Sequence, residues 1–469
     1  MPSVTLRHHS DLKSEMKPLL RLAAPIAFSQ MANTFMQIVD TFFVGKLGPE
    51  SLGGVSLGSG LFAILMVIAI GVLLGLDYRI SHAYGARKYE DCQKFLVQGF
   101  YLAVGLALPL IAILLVLSGH FANFGIGPGV SAQAGAYLRT LSLSMLPFLL
   151  FAACRQYLQA TGTAGPILAI YIIANLTNAF GNWLFIFGHW GFPQMGVAGS
   201  GMATTISRTL MFLFILGYTL WRNHRLDFSL RRAGLRFHRA MVKDLLVLGL
   251  PASGQLVLEV GAFVVSSFLI GRLGSVPLAA HQIVLQIASF AFMMPMGISA
   301  AAAVVVGQAI GAKQPARAVR QGWLAIGLGG SVMACFAILL FSFNHIILGA
   351  FSQTPEVIEI ARNLLLFAIS FQIFDGIQVV ATGALRGAAN TRASMLANLF
   401  GHWGVGLPIG ALLCFKFHWG APGIWCGLVI GLGTVSLTLL KVWSGQTKRI
   451  LEGAVHSHSI AEGTSAVSI

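Results

Sequence analysis

Three carboxylates lie deep within long apolar stretches of the sequence: Asp40, Glu259 and Asp375. An ionised side chain at the centre of a bilayer costs about 2.5–3.5 kcal/mol even on lenient insertion scales, so such residues usually serve ion or proton movement. Few basic residues share their depth, and the exception, Arg208, could instead form an ion pair with one of them. A proton or a cation is the expected partner, and the alternative is a neutral or paired carboxyl group that only supports packing.

Neutral oxygen-bearing residues accompany Asp40. Asn178 and Asn182 are four residues apart, which places them on one face of a helix. With Asp40 and Thr204 they could form an all-oxygen pocket for a hard monovalent cation such as Na⁺. Two asparagines in a span serve equally well as hydrogen-bond partners between helices, and both interpretations stay open. Because a proton and sodium would compete for the same carboxylate, we expect Asp40 to couple transport to one of them.

The composition predicts that the surface of this chain faces lipid. Of its 469 residues 56% are hydrophobic and 10% are charged, and the mean hydropathy is +0.79. Soluble domains carry about 25% charged residues. A membrane-spanning helix needs roughly 20 mostly apolar residues. Twelve segments meet that requirement: 19–44, 52–78, 95–118, 135–158, 165–188, 196–221, 243–270, 278–306, 321–348, 357–382, 393–415 and 420–443.

The Lys and Arg residues predict the orientation of these spans. If the N-terminus is cytoplasmic, 24 of the 30 Lys and Arg residues fall in cytoplasmic regions, and Arg208 lies within a span. The outside then holds only Lys46, Arg139, Arg272, Arg362 and Lys416. We therefore expect both termini inside, and we attribute the pI near 10 to topology and not to nucleic-acid binding. No cleaved signal peptide is expected, and the scattered cysteines indicate neither a disulfide framework nor a zinc site.

The chain repeats itself at an offset of 226 residues. The matching pairs are Pro25 with Pro251, Gly45–Gly48 with Gly271–Gly274, and Gly85–Arg87 with Gly311–Lys313. With six spans in each half, the halves insert the same way up, as in transporters that bind substrate between two repeats. Proline weakens a helix, so Pro25 and Pro251 are either tolerated kinks or bending points used in gating.

The repeat divides the chain into two helical lobes. The predicted regions are a cytoplasmic tail (1–18), an N-lobe (19–221), a cytoplasmic linker (222–242), a C-lobe (243–443) and a second cytoplasmic tail (444–469). The linker holds the densest basic run of the chain, which suits orientation and contact with anionic lipid headgroups. The fold class expected is an all-α membrane protein with two pseudo-symmetric six-helix lobes.

Several stretches together resemble the multidrug and toxic compound extrusion (MATE) family, and the NorM-like bacterial branch in particular. They are Ala24–Ile26, Val39–Gly48, Ala83–Ala86, Leu250–Pro251, Ala280–Gln282, Val306–Gln308, Gly311–Ala312 and Leu385–Gly387. The resemblance implies twelve helices in two lobes that form a V. It also implies export of cationic amphipathic drugs by antiport with sodium ions or protons. By the same resemblance, the N-lobe cation pocket maps onto Asp40, Asn178, Asn182 and Thr204.

The resemblance places a second cation site in the C-lobe, at Glu259 and Asp375. Some relatives carry a tyrosine one turn before the aspartate, where this chain has Phe371. The missing oxygen weakens the expectation of a full sodium site there. Phe371, His281 and Gln282 are candidates for the lining of the substrate cleft, although packing explains His281 and Gln282 equally well.

Two rival functions remain open at this point. One is a flippase for lipid-linked saccharides or cell-wall precursors, for which a single mid-span arginine, Arg208, is a poor match. The other is a membrane-embedded enzyme, but neither paired Asp motifs at magnesium spacing nor a His-Asp signature occurs. We expect a monomeric exporter in the bacterial inner membrane, without a cofactor or catalytic residues. Its partners would be drugs or toxic metabolites, membrane lipids and a coupling ion, Na⁺ or H⁺, but no nucleic acid.

Overall fold

The computed structural model describes residues 10–225, 234–351 and 354–465, and every regular element within them is helical. The helices are α1 (Ser10–Gly45), α2 (Pro49–Leu73), α3 (Gly75–Gly85), α4 (Tyr89–Ser118), α5 (Pro128–Ser142), α6 (Met145–Ala160), α7 (Gly165–Phe187), α8 (Val197–Arg225), α9 (Arg239–Gly271), α10 (Ser275–Gly311), α11 (Pro315–Ser342), α12 (Asn344–Phe351), α13 (Pro355–Gly387), α14 (Thr391–Lys416) and α15 (Ala421–Ser465). Within α14, Leu399–Gly406 and Leu412–Lys416 are π-helical.

Ten helical stretches in the described residues are long and apolar enough to cross a membrane. One of them, Pro49–Gly85, joins α2 and α3, and an eleventh candidate is the pair α5 and α6, bent by 45°. The remaining predicted span lies in α1. This helix has 36 residues, and the polar residues Gln30, Asn33 and Asp40 interrupt its apolar sequence. The chain is therefore a helical membrane protein with several spans.

Nine of the predicted spans coincide with one helix each, apart from a few residues at the ends, and the spans 52–78, 135–158 and 321–348 each cover two consecutive helices. The helices extend further than the apolar runs: α1 begins at Ser10, within the predicted tail, and α15 continues to Ser465. The region between α8 and α9 is correspondingly shorter than the predicted linker, and residues 226–233 within it lie outside the described part.

The chain divides into two compact units. Unit 1 consists of the described residues within Met1–Ala27, Ser81–Arg87 and Gln255–Ile469, and unit 2 of those within Phe28–Ile80 and Lys88–Gly254. The unit boundary in α1 follows Pro25, and the boundary in α9 follows Pro251. Each of these helices thus contributes residues to both units and changes unit just after its proline.

Two close helix–helix contacts, one in each unit, are related by the sequence repeat. In unit 2 a Cβ added to Gly71 would fall on Ser253, and in unit 1 a Cβ added to Gly297 would fall on Ala27. Both pairs are related by the 226-residue offset. The absence of a side chain at each glycine lets two helices approach closely. The lobes as defined by the halves of the sequence, and the gating role of the prolines, stay predictions.

Candidate functional site

Asp40 lies in unit 2 and is 7% exposed. Its two carboxylate oxygens accept hydrogen bonds from neutral side chains on two other helices. Asn182 Nδ2, on α7, donates to Oδ1 at 2.7 Å, and Thr204 Oγ1, on α8, donates to Oδ2 at 3.0 Å. Hydrogen bonds to an ionised group are about twice as strong as neutral ones, so this arrangement stabilises the carboxylate form.

Asn178 completes the group. Its Nδ2 donates to Thr204 Oγ1 at 3.2 Å, and its Oδ1 accepts from Asn182 Nδ2 at 3.1 Å. The side-chain oxygen Oδ1 of Asn182 is buried and has no hydrogen-bond partner among the described residues. A buried carbonyl oxygen without a donor is costly, and it is a suitable ligand for a hard cation. The donor set of this site therefore fits a monovalent cation as well as a proton on Asp40.

Small residues beside these polar side chains bring α7 and α8 together. A Cβ on Gly181 would lie 3.0 Å from the Cβ of Ala203, and Gly199 lies against the backbone of Phe185. The residues next to Gly181 and Ala203 are Asn182 and Thr204. Close approach of the helix backbones is what allows two short polar side chains to share the carboxylate of Asp40.

Glu259 and Asp375 form a different arrangement, inside unit 1. Glu259 on α9 accepts two hydrogen bonds from glutamines: Gln255 Nε2 donates to Oε2 at 2.6 Å, and Gln378 Nε2, on α13, donates to Oε1 at 2.9 Å. Asp375 is one turn before Gln378 and is close enough to interact electrostatically with Glu259. Neither carboxylate forms a salt bridge in the described part of the chain.

The glutamines around this pair were missed in the sequence. Gln255 precedes Glu259 by four residues, and Gln372 and Gln378 flank Asp375 at three residues on either side. This spacing places each glutamine on the face of the carboxylate. Both amide atoms of Gln372 and the Oε1 of Gln378 are buried without a partner among the described residues. The side-chain oxygens of Gln372 and Gln378 are therefore free to bind a cation near the pair, and the spacing of the glutamines was visible in the sequence.

The three candidates for the substrate cleft occupy different environments. His281 is buried: Trp425 Nε1 donates to its Nδ1 at 3.1 Å, and its Nε2 lies 2.9 Å from Ser267 Oγ. Because Nδ1 accepts, the proton of the neutral ring is on Nε2. Phe371 is 3% exposed and packs against Phe263 and Trp425. Gln282 is exposed. The contacts of His281 and Phe371 favour packing, and their part in a cleft stays a prediction.

Arg208 lies on α8, one turn after Thr204, and is half-buried. It forms no salt bridge within the described residues, so the ion pair considered from the sequence does not form. Its Nη1 donates to Ser144 Oγ at 2.8 Å, and its guanidinium carbon lies 4.9 Å and 4.7 Å from the ring centres of Phe62 and Phe148. The carboxylate of Asp40 is therefore held by neutral donors, with an arginine near it but not bonded to it.

Comparison with known proteins identifies the family. The MatE family model matches twice, over residues 25–184 and 251–412, and together the two matches cover more than half of the chain. This chain belongs to the MatE family. The two matches begin at Pro25 and Pro251, which agrees with the internal repeat found in the sequence.

Curated relatives cover nearly the whole chain. A probable multidrug resistance protein NorM from Mesorhizobium japonicum is 37% identical, over 92% of this chain and 94% of its own length. The multidrug resistance protein NorM from Burkholderia vietnamiensis is 35% identical, over 90% of this chain and 92% of its own length. The predicted resemblance to the NorM-like branch is confirmed by these relatives.

Solved structures show the same fold. The eukaryotic MATE transporter AtDTX14 superposes with a TM-score of 0.83 at 20% identity, over 94% of this chain and 99% of that one. A transporter of the MOP superfamily from Pyrococcus furiosus superposes with a TM-score of 0.84 at 20% identity, over 93% of this chain and 96% of that one. The predicted fold class, a twelve-helix membrane protein of the MATE type, is confirmed.

Proposed function

We propose that this chain is a secondary active multidrug efflux transporter, which exports amphipathic small molecules in exchange for Na⁺ or H⁺. The observation that carries the proposal is the presence, in each unit, of a buried carboxylate, Asp40 or Glu259, that accepts hydrogen bonds from neutral side chains and forms no salt bridge among the described residues. A carboxylate without a salt-bridge partner keeps its charge available to a coupling ion. The names of the curated relatives support drugs as the exported class, and they favour a transporter over an enzyme.

The ion-coupling residues would be Asp40, Asn178, Asn182 and Thr204 in unit 2, and Glu259 and Asp375 in unit 1. When a cation binds, the carboxylates neutralise its charge and the amide and hydroxyl oxygens replace part of its water shell. When a proton binds, it adds to a carboxylate oxygen, and the neutral acid no longer attracts a cation. Either event changes the charge of the unit interior, and this change is what can bias the protein towards one access state. No organic cofactor is needed for such a cycle.

Transport by the purified protein tests the proposal. The full chain would be reconstituted into liposomes, and export of ethidium, a cationic aromatic dye, would be followed by fluorescence. A sodium gradient and a proton gradient would be imposed in separate experiments. We expect dye movement against its own gradient under at least one of them. Movement that never exceeds equilibration of the dye, under either gradient, would contradict secondary active export.

We further propose that the protein lies in the bacterial inner membrane as a monomer, with both termini in the cytoplasm. Leu235 follows α8 and is 74% exposed, so a cysteine placed there would be accessible from its own side of the membrane. The exposed Cys335 would first be replaced by serine. In intact spheroplasts the Leu235→Cys variant should resist an impermeant thiol reagent and react after lysis. Labelling before lysis would reverse the orientation of every loop.

A further inference from the structure

The short segment that leads into α9 is held against α4 within unit 2, and the proposed function makes no use of it. Gln98 on α4 is 1% exposed and binds the backbone of the segment twice. Its Nε2 donates to the carbonyl oxygen of Arg236 at 2.9 Å, and its Oε1 accepts from the amide nitrogen of His238 at 2.9 Å. The hydroxyl group of Tyr101 donates to the carbonyl oxygen of Leu235 at 2.7 Å. These three hydrogen bonds fix the course of the segment along α4.

The hydrogen bonds place the segment where the sequence of α4 changes from charged to apolar. The first turns of α4 carry Glu90, Asp91 and Lys94, whose amino group lies 2.7 Å and 3.9 Å from the two carboxylates. The predicted apolar run begins directly after Lys94. Gln98 and Tyr101 are about 6 Å and 11 Å from Lys94 along the helix axis. Tyrosine is enriched where a span meets the lipid headgroups, and Tyr101 is exposed. The segment therefore lies at the depth where headgroups are expected.

The side chains of this segment combine an aromatic ring with positive charges. Phe237 is 58% exposed, and its ring meets that of Tyr101 edge-on at 5.5 Å between ring centres. Arg236 and Arg239 are exposed and form no salt bridge among the described residues. The next carboxylate along the chain, Asp244, forms its salt bridge with a residue of α3. Basic groups beside an exposed aromatic ring are typical of surfaces that bind anionic lipids.

We propose that Arg236, Phe237 and Arg239 bind an anionic phospholipid. The two guanidinium groups bind the phosphate of its headgroup, and the ring of Phe237 lies against the glycerol backbone and the first carbons of the acyl chains. The planar donors of guanidinium match the oxygens of a phosphate group. A zwitterionic phospholipid carries the same phosphate beside a cationic group that the arginines repel, so the net charge of the lipid determines the preference. Gln98 is a positioning residue, because it holds the backbone from which the three side chains extend.

A matched pair of lipids tests this assignment. The purified full chain in detergent would be titrated with dioleoylphosphatidylglycerol, which is anionic, and with dioleoylphosphatidylcholine, which has the same acyl chains and no net charge. Native mass spectrometry resolves each bound lipid, and the readout is the ratio of the two Kd values for the first lipid bound. The variants that change the site are Arg236→Gln/Arg239→Gln, Phe237→Ser and Gln98→Leu.

A control variant separates a defined site from the total charge of the protein. Arg362 on α13 and Lys416 on α14 are exposed and belong to unit 1. The Arg362→Gln/Lys416→Gln double variant removes as much positive charge as the double arginine variant, but it leaves the segment next to α4 intact. It should therefore bind the two lipids with the wild-type ratio.

The expected result is a selective loss of the anionic lipid. The Arg236→Gln/Arg239→Gln variant should weaken phosphatidylglycerol binding about 25-fold, or about fivefold for each arginine, and should leave phosphatidylcholine binding unchanged. Phe237→Ser should weaken both lipids alike, because they share the glycerol backbone and the chains. Gln98→Leu changes no charge but removes two of the hydrogen bonds that hold the segment. It should lower the preference for phosphatidylglycerol by at least about threefold.

Equal binding of the two lipids by the wild-type chain would overturn the inference, and so would a wild-type ratio in the double arginine variant. An equal loss in the control variant would assign the preference to total charge. An unchanged ratio in Gln98→Leu would contradict a site that depends on the held segment. Both lipids are measured on the same preparation, so partial unfolding of a variant lowers the number of sites for both lipids and not the ratio. The result does not depend on transport, and failure of the export proposal would leave it intact.

Discussion

The candidate sites in the two units hold their carboxylates in different ways. In the unit 2 site the carboxylate of Asp40 takes its hydrogen bonds from Asn182 and Thr204, with Arg208 nearby. In unit 1 two carboxylates, Glu259 and Asp375, lie close to each other among glutamines. The charges of Asp40 and Arg208 can balance each other without an added ion, whereas Glu259 and Asp375 carry two like charges unless a proton or cation binds to them.

The difference teaches that a repeated scaffold does not require a repeated site. At the 226-residue offset Asp40 corresponds to Ser266, and Glu259 corresponds to Asn33. Ser266 is buried and, among the described residues, donates its hydroxyl hydrogen to the backbone oxygen of Ala262, within its own helix. The positions are shared but their chemistry is not. We infer that the two units take different parts in coupling, and variants in each unit should separate those parts.

The largest effect on export is expected from the Asp40→Asn substitution. Asparagine keeps the shape and one oxygen but removes the charge, so the cation has no carboxylate in that site. Ethidium export against its gradient should fall to the level of protein-free liposomes, while the variant still inserts and folds. Glu359→Gln, an exposed carboxylate on α13, is the control and should export normally. Uphill export by Asp40→Asn would assign coupling to unit 1 alone.

Glu259→Gln and Asp375→Asn should each have a smaller effect, because one carboxylate remains in unit 1. We expect the initial rate of export to fall roughly tenfold in each, which corresponds to about 1.4 kcal/mol of lost cation binding. The two residues share Gln378 and interact directly, so their effects should not add in the double variant. Normal rates in both single variants at matched expression would remove unit 1 from the mechanism.

The pH dependence of sodium binding should differ between the units. The Glu259→Gln/Asp375→Asn double variant keeps the carboxylate of the unit 2 site, so its sodium binding reports on unit 2. The Asp40→Asn variant keeps the two carboxylates of the unit 1 site, so its sodium binding reports on unit 1. Protons compete with sodium for carboxylates, so sodium binding weakens as the pH falls. The apparent Kd for ²²Na⁺ should rise by up to about tenfold per pH unit for the single carboxylate, and by up to about a hundredfold for the pair. Identical slopes in the two variants would contradict the proposed difference.

A hydroxyl group supplies part of the stabilisation in unit 2, and Thr204 is the residue that provides it. Thr204→Val keeps the shape and removes the donor, whereas Thr204→Ser keeps the donor. We expect export to fall roughly three- to tenfold in the valine variant, or about 0.7–1.4 kcal/mol, and to change little in the serine variant. Equal rates for valine and serine would mean that Asn182 alone holds the Asp40 carboxylate.

The fold followed from the sequence because each span is a long apolar run, which no soluble arrangement can accommodate. The contacts between residues far apart in the sequence could not be predicted in this way. Asp40 and Thr204 were grouped from their residue types and from the family resemblance, because 164 residues separate them and no local pattern joins them. The bond between Trp425 and His281 spans 144 residues, and nothing local indicates it. The glutamines around Glu259 were within reach of a spacing rule, but amide side chains are common enough in spans that spacing alone does not rank them.

The smallest effect is expected from Phe371→Tyr, which adds a hydroxyl group to the unit 1 site and so makes it more like the unit 2 site. Phe371 precedes Asp375 by four residues on α13, so the two side chains share a helix face. Phe371→Tyr would add a hydroxyl near the carboxylate, comparable to the one that Thr204 gives to Asp40. The ring packs against Phe263 and Trp425, at 5.9 Å and 6.1 Å between ring centres, so the aromatic contacts should survive the change.

We expect Phe371→Tyr, in the Asp40→Asn background, to bind ²²Na⁺ about threefold more tightly, a gain of about 0.6 kcal/mol from one added oxygen ligand. Phe374→Tyr adds the same hydroxyl to another face of the helix and should produce no gain. Because the background lacks the Asp40 charge, any increase must arise in unit 1. If both tyrosines raise the affinity equally, or neither does, the oxygen missing at Phe371 does not limit this site. The contrast between the units would then lie in the number of carboxylates alone.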